Sequence, residues 1–426
     1  MKSKKMYCML LALVMMVSSV VPLLASPADL SVEYEFTRNH SEAMESWMRA
    51  ELHNHLVAEY GHEFANNYQM AIATVRSVSD SFMQTRMGAT IYPECFGGMY
   101  IDADGNAVIL TVVSAARHMF TDNATLALDH ARQLNEIEVR YVNFSYRVLR
   151  DAFSLLNSMP LDAPAIQNAQ SWFLDVVNNR IVVQLADFSY EQVAYFRRTI
   201  MDLPFIVFEE APIITFEASP AHVYDHFESY HVESYDISPF ANRTINPGQL
   251  VLDGSVGFRA RTNGAWGARG YVTAAHIAID VGNSMGFQMG TVYRIQHNFI
   301  DAAFVALPFD SQMTNQVFNL QHSTHSREPV TGEIVVIRGR NSLTTPRSSR
   351  VHNPRARVSM RGNIIHDTVL VENQNEHFGR GGDSGGIVLS GRDVVGIHIG
   401  THTGDIQVAV IVLASAITGW LDLLIY

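Results

Sequence analysis

The stretch Gly381-Gly382-Asp383-Ser384-Gly385-Gly386 decides how this chain is interpreted. A serine held between glycines can be an exposed nucleophile beside free backbone N–H groups. Because glycine carries no Cβ, the N–H groups of Gly382 and Ser384 can both point at one oxygen, as in an oxyanion hole. Most glycine-rich runs are only turns, so this stretch needs support from elsewhere in the sequence.

Two further residues complete a candidate catalytic set. His276 ends the run Thr273-Ala274-Ala275-His276, and Asp301 follows an apolar-aromatic segment. Taken alone, each is better explained as a core or surface histidine or as a turn-forming aspartate. Together with Ser384 they supply, in chain order, a general base, an orienting carboxylate and a nucleophile. We predict that these three residues are catalytic and that the buried carboxylate of Asp383 fixes the turn.

Composition and the N-terminus indicate a folded, exported protein. The chain has 426 residues, 47% hydrophobic and 17% charged, which favours buried cores over disorder. Residues 1–28 combine lysines, an apolar run from Met6 to Val21 and small residues for cleavage, the pattern of a secretory signal peptide. We therefore expect a secreted, extracellular protein without stable membrane insertion. Only Cys8 and Cys95 occur, so the mature protein would form no internal disulfide.

Charge and sequence texture divide the remaining chain. From Phe240 onward there are 15 Arg against 13 Asp and Glu, a net charge of +2. The whole chain has a net charge of −12, so residues 1–239 carry −14. This asymmetry favours two domains. We predict an α+β region over residues 29–210, a linker over 211–244 and a second domain over 245–426. No arginine stripe with interleaved aromatics occurs, so we expect no nucleic-acid partner.

Hydrophobic spacing gives a coarse secondary structure. Apolar residues at three- and four-residue steps predict helices from Glu33 to about Ser81 and from about Asp129 to Ser158. Two similar segments predict β-hairpins over residues 96–113 and 171–185, and they either form a repeat or resemble each other by accident. From Val251 onward, short β-runs separated by Gly, Asn and Pro predict an all-β barrel or sandwich.

Three segments resemble the His, Asp and Ser blocks of chymotrypsin-fold serine proteases. They are Gly270-Tyr271-Val272-Thr273-Ala274-Ala275-His276, Asp301-Ala302-Ala303-Phe304-Val305-Ala306-Leu307 and residues 381–386. The closer resemblance is to the alpha-lytic protease and streptogrisin branch, because residues 255–258 and 332–340 are also similar to it and the two hairpins resemble those of its propeptide.

This resemblance implies an all-β protease domain of two six-stranded antiparallel barrels, with the active site in the cleft between them. It also implies that the α+β pro-region assists folding, inhibits the protease and is removed by autoproteolysis. Slow folding of all-β topologies makes a folding template plausible. Protein or peptide substrates are expected, and we expect a monomer.

The resemblance to this protease branch also bears on substrate choice. His398 stands where glutamate-specific relatives carry a histidine in the primary specificity pocket, and the resemblance implies substrate-binding roles for His398, Gly400 and Thr401. An imidazole N–H with the Thr401 hydroxyl could hold an acidic side chain. The alternative is a histidine that only fills space beneath the second barrel, with a non-acidic preference. Under acidic specificity, Glu233 or Asp236 becomes a natural self-cleavage site.

The chain departs from the family in two places. Ile277 stands where members carry a disulfide cysteine after the histidine, so the catalytic domain must depend on core packing. Ile399 stands where they carry a serine whose hydroxyl reaches the catalytic aspartate, so one polar contact to Asp301 is lost.

Other functions fit the sequence less well. A catalytically silent binding or chaperone module on a protease scaffold is disfavoured, because all three triad positions and the oxyanion glycine are filled. An esterase is weaker, since no strand-turn-helix context for a nucleophile elbow surrounds Ser384. The histidines show no metal-ligand spacing, so no metal or other cofactor is expected.

Overall fold

The computed structural model describes residues 50, 52–84, 90–112, 137–211, 244–251, 254–264, 267–279, 290–308, 311–317, 320–342, 347–360, 362–373, 378–402 and 407–426. The predicted signal peptide, the start of the first predicted helix and nearly all of the predicted linker lie outside these residues. Glu233 and Asp236 lie outside them as well. In the described part of the chain, no helix combines the length and apolar character needed to cross a bilayer.

The first half of the chain contains two copies of one arrangement of strands. Its elements are α1 His62–Asp80, β1 Met83–Gln84, β2 Thr90–Ile91, β3 Phe96–Ile101, β4 Ala107–Val112, β5 Ile137–Val142, α2 Tyr146–Asn157, α3 Pro164–Asn168, β6 Ala169–Asp175, β7 Arg180–Leu185, α4 Tyr190–Thr199 and β8 Ile206–Glu210. In each copy an antiparallel hairpin (β3–β4, β6–β7) is followed by a strand parallel to its second member (β5, β8). The two predicted hairpins are therefore confirmed, and their likeness extends to sheet topology.

The second predicted helix is wrong in its central part. Residues Ile137–Val142 form strand β5, and the helix begins only at Tyr146. Ile-Glu-Val-Arg-Tyr-Val is rich in β-branched and aromatic residues, which favour a strand. Ser145 then caps the helix, because its hydroxyl accepts a hydrogen bond from the N–H of Val148 at 3.3 Å.

The second half of the chain is built mainly of strands. Its elements are β9 Thr244–Ile245, β10 Leu250–Val251, β11 Gly254–Ser255, β12 Arg259–Thr262, β13 Arg269–Ala274, α5 Ala275–Ile279, β14 Thr291–Gln296, β15 Ala302–Ala306, β16 Gln312–Met313, β17 Gln316–Val317, β18 Leu320–Gln321, β19 Ile334–Arg338, a 3₁₀ helix Arg340–Ser342, β20 Arg347–Met360, β21 Asn363–Glu372, β22 Ile387–Ser390, β23 Asp393–His402, β24 Val408–Leu413, α6 Ala414–Trp420 and β25 Leu423–Ile425.

The first sheet of this half differs from the expected six-stranded barrel. Five antiparallel strands lie in the order β14-β15-β13-β12-β25. In the described residues the edge strands β14 and β25 do not pair with each other, so the sheet stays open. A register shift between Val292 and Arg294 in β14, and the three-residue length of β25, leave little regular edge for closure.

The second sheet contains six antiparallel strands in the order β19-β22-β23-β24-β21-β20. Because β19 also pairs with β20, the pairings form a closed cycle. One apolar cluster joins the two sheets, with Tyr271 and Phe304 from the first and Ile397 and Val412 from the second. The fully buried side chains of this cluster fix the sheets against each other and so position the loops at their ends.

The first half of the chain continues the second sheet. Strand β6 pairs with β20, which adds β6, β7 and β8 to the six-stranded cycle. Further hydrogen bonds join the two halves of the chain. The N–H of Ile101 donates to Thr331 O at 2.9 Å, and the N–H of Ile334 donates to Tyr68 Oη at 2.9 Å. Residues 56–426 accordingly form one compact unit.

Candidate functional site

His276 and Asp301 come together at the ends of two paired strands. His276 lies in α5 directly after β13, and Asp301 directly precedes β15, which pairs with β13. Imidazole Nδ1 lies 2.7 Å from Asp301 Oδ2, and the N–H of His276 donates to Oδ1 at 2.9 Å. Because a carboxylate only accepts, Nδ1 carries a proton, and Nε2 is the acceptor whenever the ring holds one proton only.

The environment keeps Asp301 ionised. Burial alone would raise the pKa of this carboxyl, but the charge and hydrogen bonds of His276 outweigh it, and the pKa lies below its ordinary value. Asp301 is 5% exposed and has a φ of 39°, an uncommon conformation for a residue other than glycine. Such local strain concentrates at sites where the surrounding structure dictates the conformation.

Ser384 lies in the turn before β22 and is 8% exposed. Its carbonyl accepts from the N–H of Ser255 at 2.7 Å, and Ser255 Oγ donates to Gly382 O at 2.8 Å. At Gly385, where φ is 86°, a Cβ would collide with Ser255 O and Thr273 Oγ1. The serine turn thus packs directly against β13, the strand that leads to His276. Within the described residues, Ser384 Oγ makes no hydrogen bond with His276, so the direct contact found is that of His276 with Asp301.

Asp383 has the structural role predicted for it. Its side chain is fully buried, and its carboxylate accepts from the N–H groups of Asn341 at 2.8 Å and Arg380 at 3.1 Å. Arg347 Nη1 lies 3.5 Å from Asp383 Oδ2. Charge-assisted hydrogen bonds of this kind hold the turn in one conformation.

Two backbone donors of the turn are available to a ligand. The N–H groups of Gly382 and Ser384 donate to no acceptor in the described part of the chain. The intervening N–H of Asp383 donates to Arg380 O at 2.9 Å, and the N–H of Gly386 donates to Asp383 O at 2.8 Å. The N–H of the exposed Gly381 also donates to no acceptor in these residues, so the turn has three free donors, of which those of Gly382 and Ser384 lie on either side of Asp383 as an oxyanion hole requires.

His398 lies beside the serine turn. Its carbonyl accepts from the N–H of Gly385 at 2.7 Å, and its N–H donates to Gly386 O at 2.9 Å. The ring is 1% exposed, and neither nitrogen meets the distance and angle of a hydrogen bond in the described residues, although the backbone of Asp383 and of Gly400 lies close enough to favour the protonated ring. Burial lowers the pKa of His398 to about 4, against the opposing charge of Asp383. The backbone of Gly379 packs directly against the imidazole, since a Cβ there would collide with Nε2.

Gly400 and Thr401 follow His398 on β23. They pair with Val410 and Ala409 of β24, on one edge of the strand. Pairing with β22 ends at Ile397, so in the described residues the other edge of β23 beyond His398 faces no strand. An extended peptide could pair with this edge.

Sequence reasoning missed the residues that support the serine turn. Asn341 Nδ2 donates to Gly381 O at 2.7 Å, and Ser255 contacts both Gly382 and Ser384. Ser255 lies in the segment 255–258 that resembles the protease family, but neither that segment nor the surroundings of Asn341 indicate a contact with the serine turn, so these roles become visible only in the fold. The described residues contain no group of three or more His, Cys, Asp or Glu side chains placed to hold a metal ion.

Comparisons with families and curated proteins give one partial match. A family model described as a Pro-like C-terminal domain matches residues 146–211, which contain α2, β6, β7 and β8. No curated protein matches the chain.

Several solved protease structures are similar to this chain over 43% of its length. Nocardiopsis protease is 24% identical, with 98% of its own chain covered and a TM-score of 0.36. Thermobifida fusca protease A is 21% identical, with 98% covered and a TM-score of 0.34. A glutamic acid specific serine protease, described as using a histidine triad in substrate binding, is 21% identical, with 100% covered and a TM-score of 0.34.

Proposed function

We propose that this chain is a secreted serine endopeptidase made as a precursor, with Ser384 as nucleophile, His276 as general base and Asp301 as orienting carboxylate. The observation that carries the proposal is the buried His276–Asp301 pair, with Nδ1 2.7 Å from Oδ2, beside a turn whose Gly382 and Ser384 N–H groups are unpaired.

In the proposed reaction these groups act in the following order. Ser384 Oγ attacks the peptide carbonyl carbon and transfers its proton to Nε2 of His276, while Asp301 stabilises the imidazolium. The carbonyl oxygen becomes an oxyanion that accepts from Gly382 and Ser384 N–H. His276 then gives the proton to the amine that leaves as the peptide bond breaks. Water attacks the acyl carbon and gives a proton to His276, which passes it to Ser384 Oγ as the ester bond breaks and the acid product leaves.

A labelling experiment tests the proposed activity. The expressed full-length protein is incubated with a phosphonate probe for active serines and, separately, with a casein or peptide substrate. We expect labelling and hydrolysis with the natural sequence and with Ser415→Ala, an exposed serine used as a matched control, but neither with Ser384→Ala. A folded natural protein without labelling would instead support the binding or chaperone function.

Maturation is tested on the same samples. The pro-region role of residues 29–210 is supported by the Pro-like match over 146–211 and by the pairing of β6 with β20. N-terminal sequencing should find a fragment that starts at roughly residues 230–245, in the predicted linker. The Ser384→Ala variant should lack this fragment, and its appearance there would mean that another protease makes the cut.

We further propose that the residue before the cleaved bond is acidic. His398 is buried beside the serine turn, and in the described residues its nitrogens make no hydrogen bond of good geometry, so a substrate carboxylate would give its N–H a better acceptor than the nearby backbone does. Peptides that differ only at this position test the proposal. Fastest cleavage after Glu is expected, whereas preferred cleavage after Arg, Lys, Phe or Leu would refute it.

A further inference from the structure

The peptide between Gly381 and Gly382 is held on its carbonyl side. Gly381 O accepts a hydrogen bond from Asn341 Nδ2 at 2.7 Å. The N–H of Gly382, on the other side of the same peptide, donates to no acceptor in the described residues. In a trans peptide these two groups point in opposite directions, and the described chain contains no cis peptide. The direction of the free N–H is therefore set by what holds the carbonyl.

This peptide needs an external restraint. Glycine stands on both sides of it, and Gly382 has a φ of 93°. Glycine populates positive and negative φ about equally, so the backbone itself does not select one orientation of the peptide plane. Rotation by about 180° would exchange the N–H for the carbonyl. The oxyanion would then meet an acceptor instead of a donor, and the hole would be lost.

Asn341 is itself fixed by the turn that it restrains. Its N–H donates to Asp383 Oδ1 at 2.8 Å, and its carbonyl accepts from Arg347 Nη2 at 2.9 Å. Arg347 Nη1 is in turn 3.5 Å from Asp383 Oδ2. The backbone of Asn341 is thus tied to the residue before the nucleophile, which leaves its side-chain amide to reach Gly381.

We propose that Asn341 is a positioning residue of the oxyanion hole: its side-chain amide holds the Gly381 carbonyl so that the Gly382 N–H stays directed at the oxyanion. This inference rests on the proposed endopeptidase activity. Because Asn341 acts through the peptide and does not touch the substrate, its loss should reduce turnover and leave substrate binding unchanged. Removal of a whole oxyanion donor costs about 10²–10³ in kcat, so a loosened donor should cost about 10- to 100-fold.

The test compares Asn341→Ala, Asn341→Gln and the natural sequence, all expressed as the full chain. Asn263→Ala is the matched control, since Asn263 is exposed and its amide donates to Asp422 Oδ1 at 3.3 Å on the surface. For each protein, kcat and KM are measured with a peptide amide, Ki with a peptide aldehyde that forms a hemiacetal oxyanion, and Tm by thermal melting.

With Asn341→Ala we expect kcat to fall about 10- to 100-fold and the aldehyde Ki to rise by a similar factor, with KM and Tm close to those of the natural protein. Asn341→Gln, which keeps an amide donor, should recover part of kcat. An unchanged kcat overturns the inference while leaving the proposed activity intact. A kcat loss that follows a fall in Tm, with an unchanged ratio of Ki to KM, also overturns it. Absence of hydrolysis and labelling in the natural protein would refute the endopeptidase itself.

Discussion

The guanidinium of Arg357 lies over the indole of Trp172, with Cζ 3.7 Å from the ring centroid. The two residues face each other across the pairing of β20 with β6, where the halves of the chain meet. Arg357 is 1% exposed, and its three guanidinium nitrogens have no hydrogen-bond partner in the described residues. Burial lowers the pKa of Arg357 to about 9. A poorly compensated charge is therefore enclosed at this junction.

Replacement of Arg357 by methionine should stabilise the full-length chain or leave its stability unchanged. A desolvated cation–π contact contributes about 2 kcal/mol, but burial of an unpaired charge costs several kcal/mol, so the cost exceeds the gain. Urea unfolding in the Ser384→Ala background, which prevents self-cleavage, measures the difference. Arg198→Met is the control, because Arg198 makes a cation–π contact with Tyr195 at an exposed position. A loss above about 2 kcal/mol for Arg357→Met would show that the charge is better solvated than its described contacts indicate.

Much of the fold could be predicted because its signals are local. The hairpin β3–β4 follows from its turn residues, and β15 follows from a short apolar run. The 14-residue strand β20 was missed, since four arginines, Asn353 and Pro354 interrupt any apolar alternation. Its register shifts around these residues, and part of its edge is completed only by β6 from the other half of the chain. No local pattern records such a partner.

The candidate site also has one part that could be predicted from the sequence and one part that could not. His276, Asp301 and Ser384 could be proposed from their residue types and their order, and the fold joins the first two directly. The supports of the serine turn could not be predicted. Asn341 reaches Gly381 across 40 residues and Ser255 reaches Gly382 across 127, and both contacts depend on tertiary packing.

Substitution of Asp301 by asparagine should reduce kcat by about 10³–10⁴-fold, because an amide N–H facing Nδ1 would impose the wrong imidazole tautomer. Asparagine tolerates positive φ, so the backbone at 39° should persist and Tm should change little. Steady-state kinetics with a peptide amide give the measurement. Asp422→Asn is the matched control, since Asp422 also has a positive φ of 47° and should keep full activity. Retention of more than a tenth of kcat in Asp301→Asn would argue against the orienting role.

Substitution of His398 by glutamine should reduce discrimination between substrates with Glu and Gln before the cleaved bond. A hydrogen bond to a charged group contributes about 1.5–3 kcal/mol, so the ratio of kcat/KM values should fall about 10- to 100-fold. The same peptide pair is assayed with His62→Gln, an exposed histidine, as the control. An unchanged ratio would mean that His398 only fills space beneath the serine turn.

Substitution of Glu328 by glutamine should destabilise the full-length chain by about 3 kcal/mol, because it leaves two guanidinium groups without a shared carboxylate. Glu328 accepts from Arg150 Nη1 at 2.8 Å and from Arg355 Nη2 at 2.7 Å. Burial alone would raise the pKa of Glu328, but the two arginines lower it to about 2. Arg150→Ala should cost less, since Glu328 keeps Arg355. Urea unfolding in the Ser384→Ala background tests this order against Glu94→Gln, which breaks an exposed pair. Equal losses for Glu328→Gln and Glu94→Gln would contradict it.

Substitution of His322 by glutamine should weaken the loss of stability in acid. Burial lowers the pKa of His322 from 6.5 to about 4, while Nδ1 lies 2.8 Å from Ser323 O and Nε2 has no partner in the described residues. Below pH 6.5 the unfolded chain therefore takes up a proton that the folded chain refuses until about pH 4, so stability falls across this window, by up to about 3 kcal/mol from this residue. In the Ser384→Ala background, unfolding free energies at pH 7 and pH 4 should differ less for His322→Gln than for the parent. Parallel curves for His322→Gln and the exposed control His325→Gln would show that His322 does not contribute to acid sensitivity.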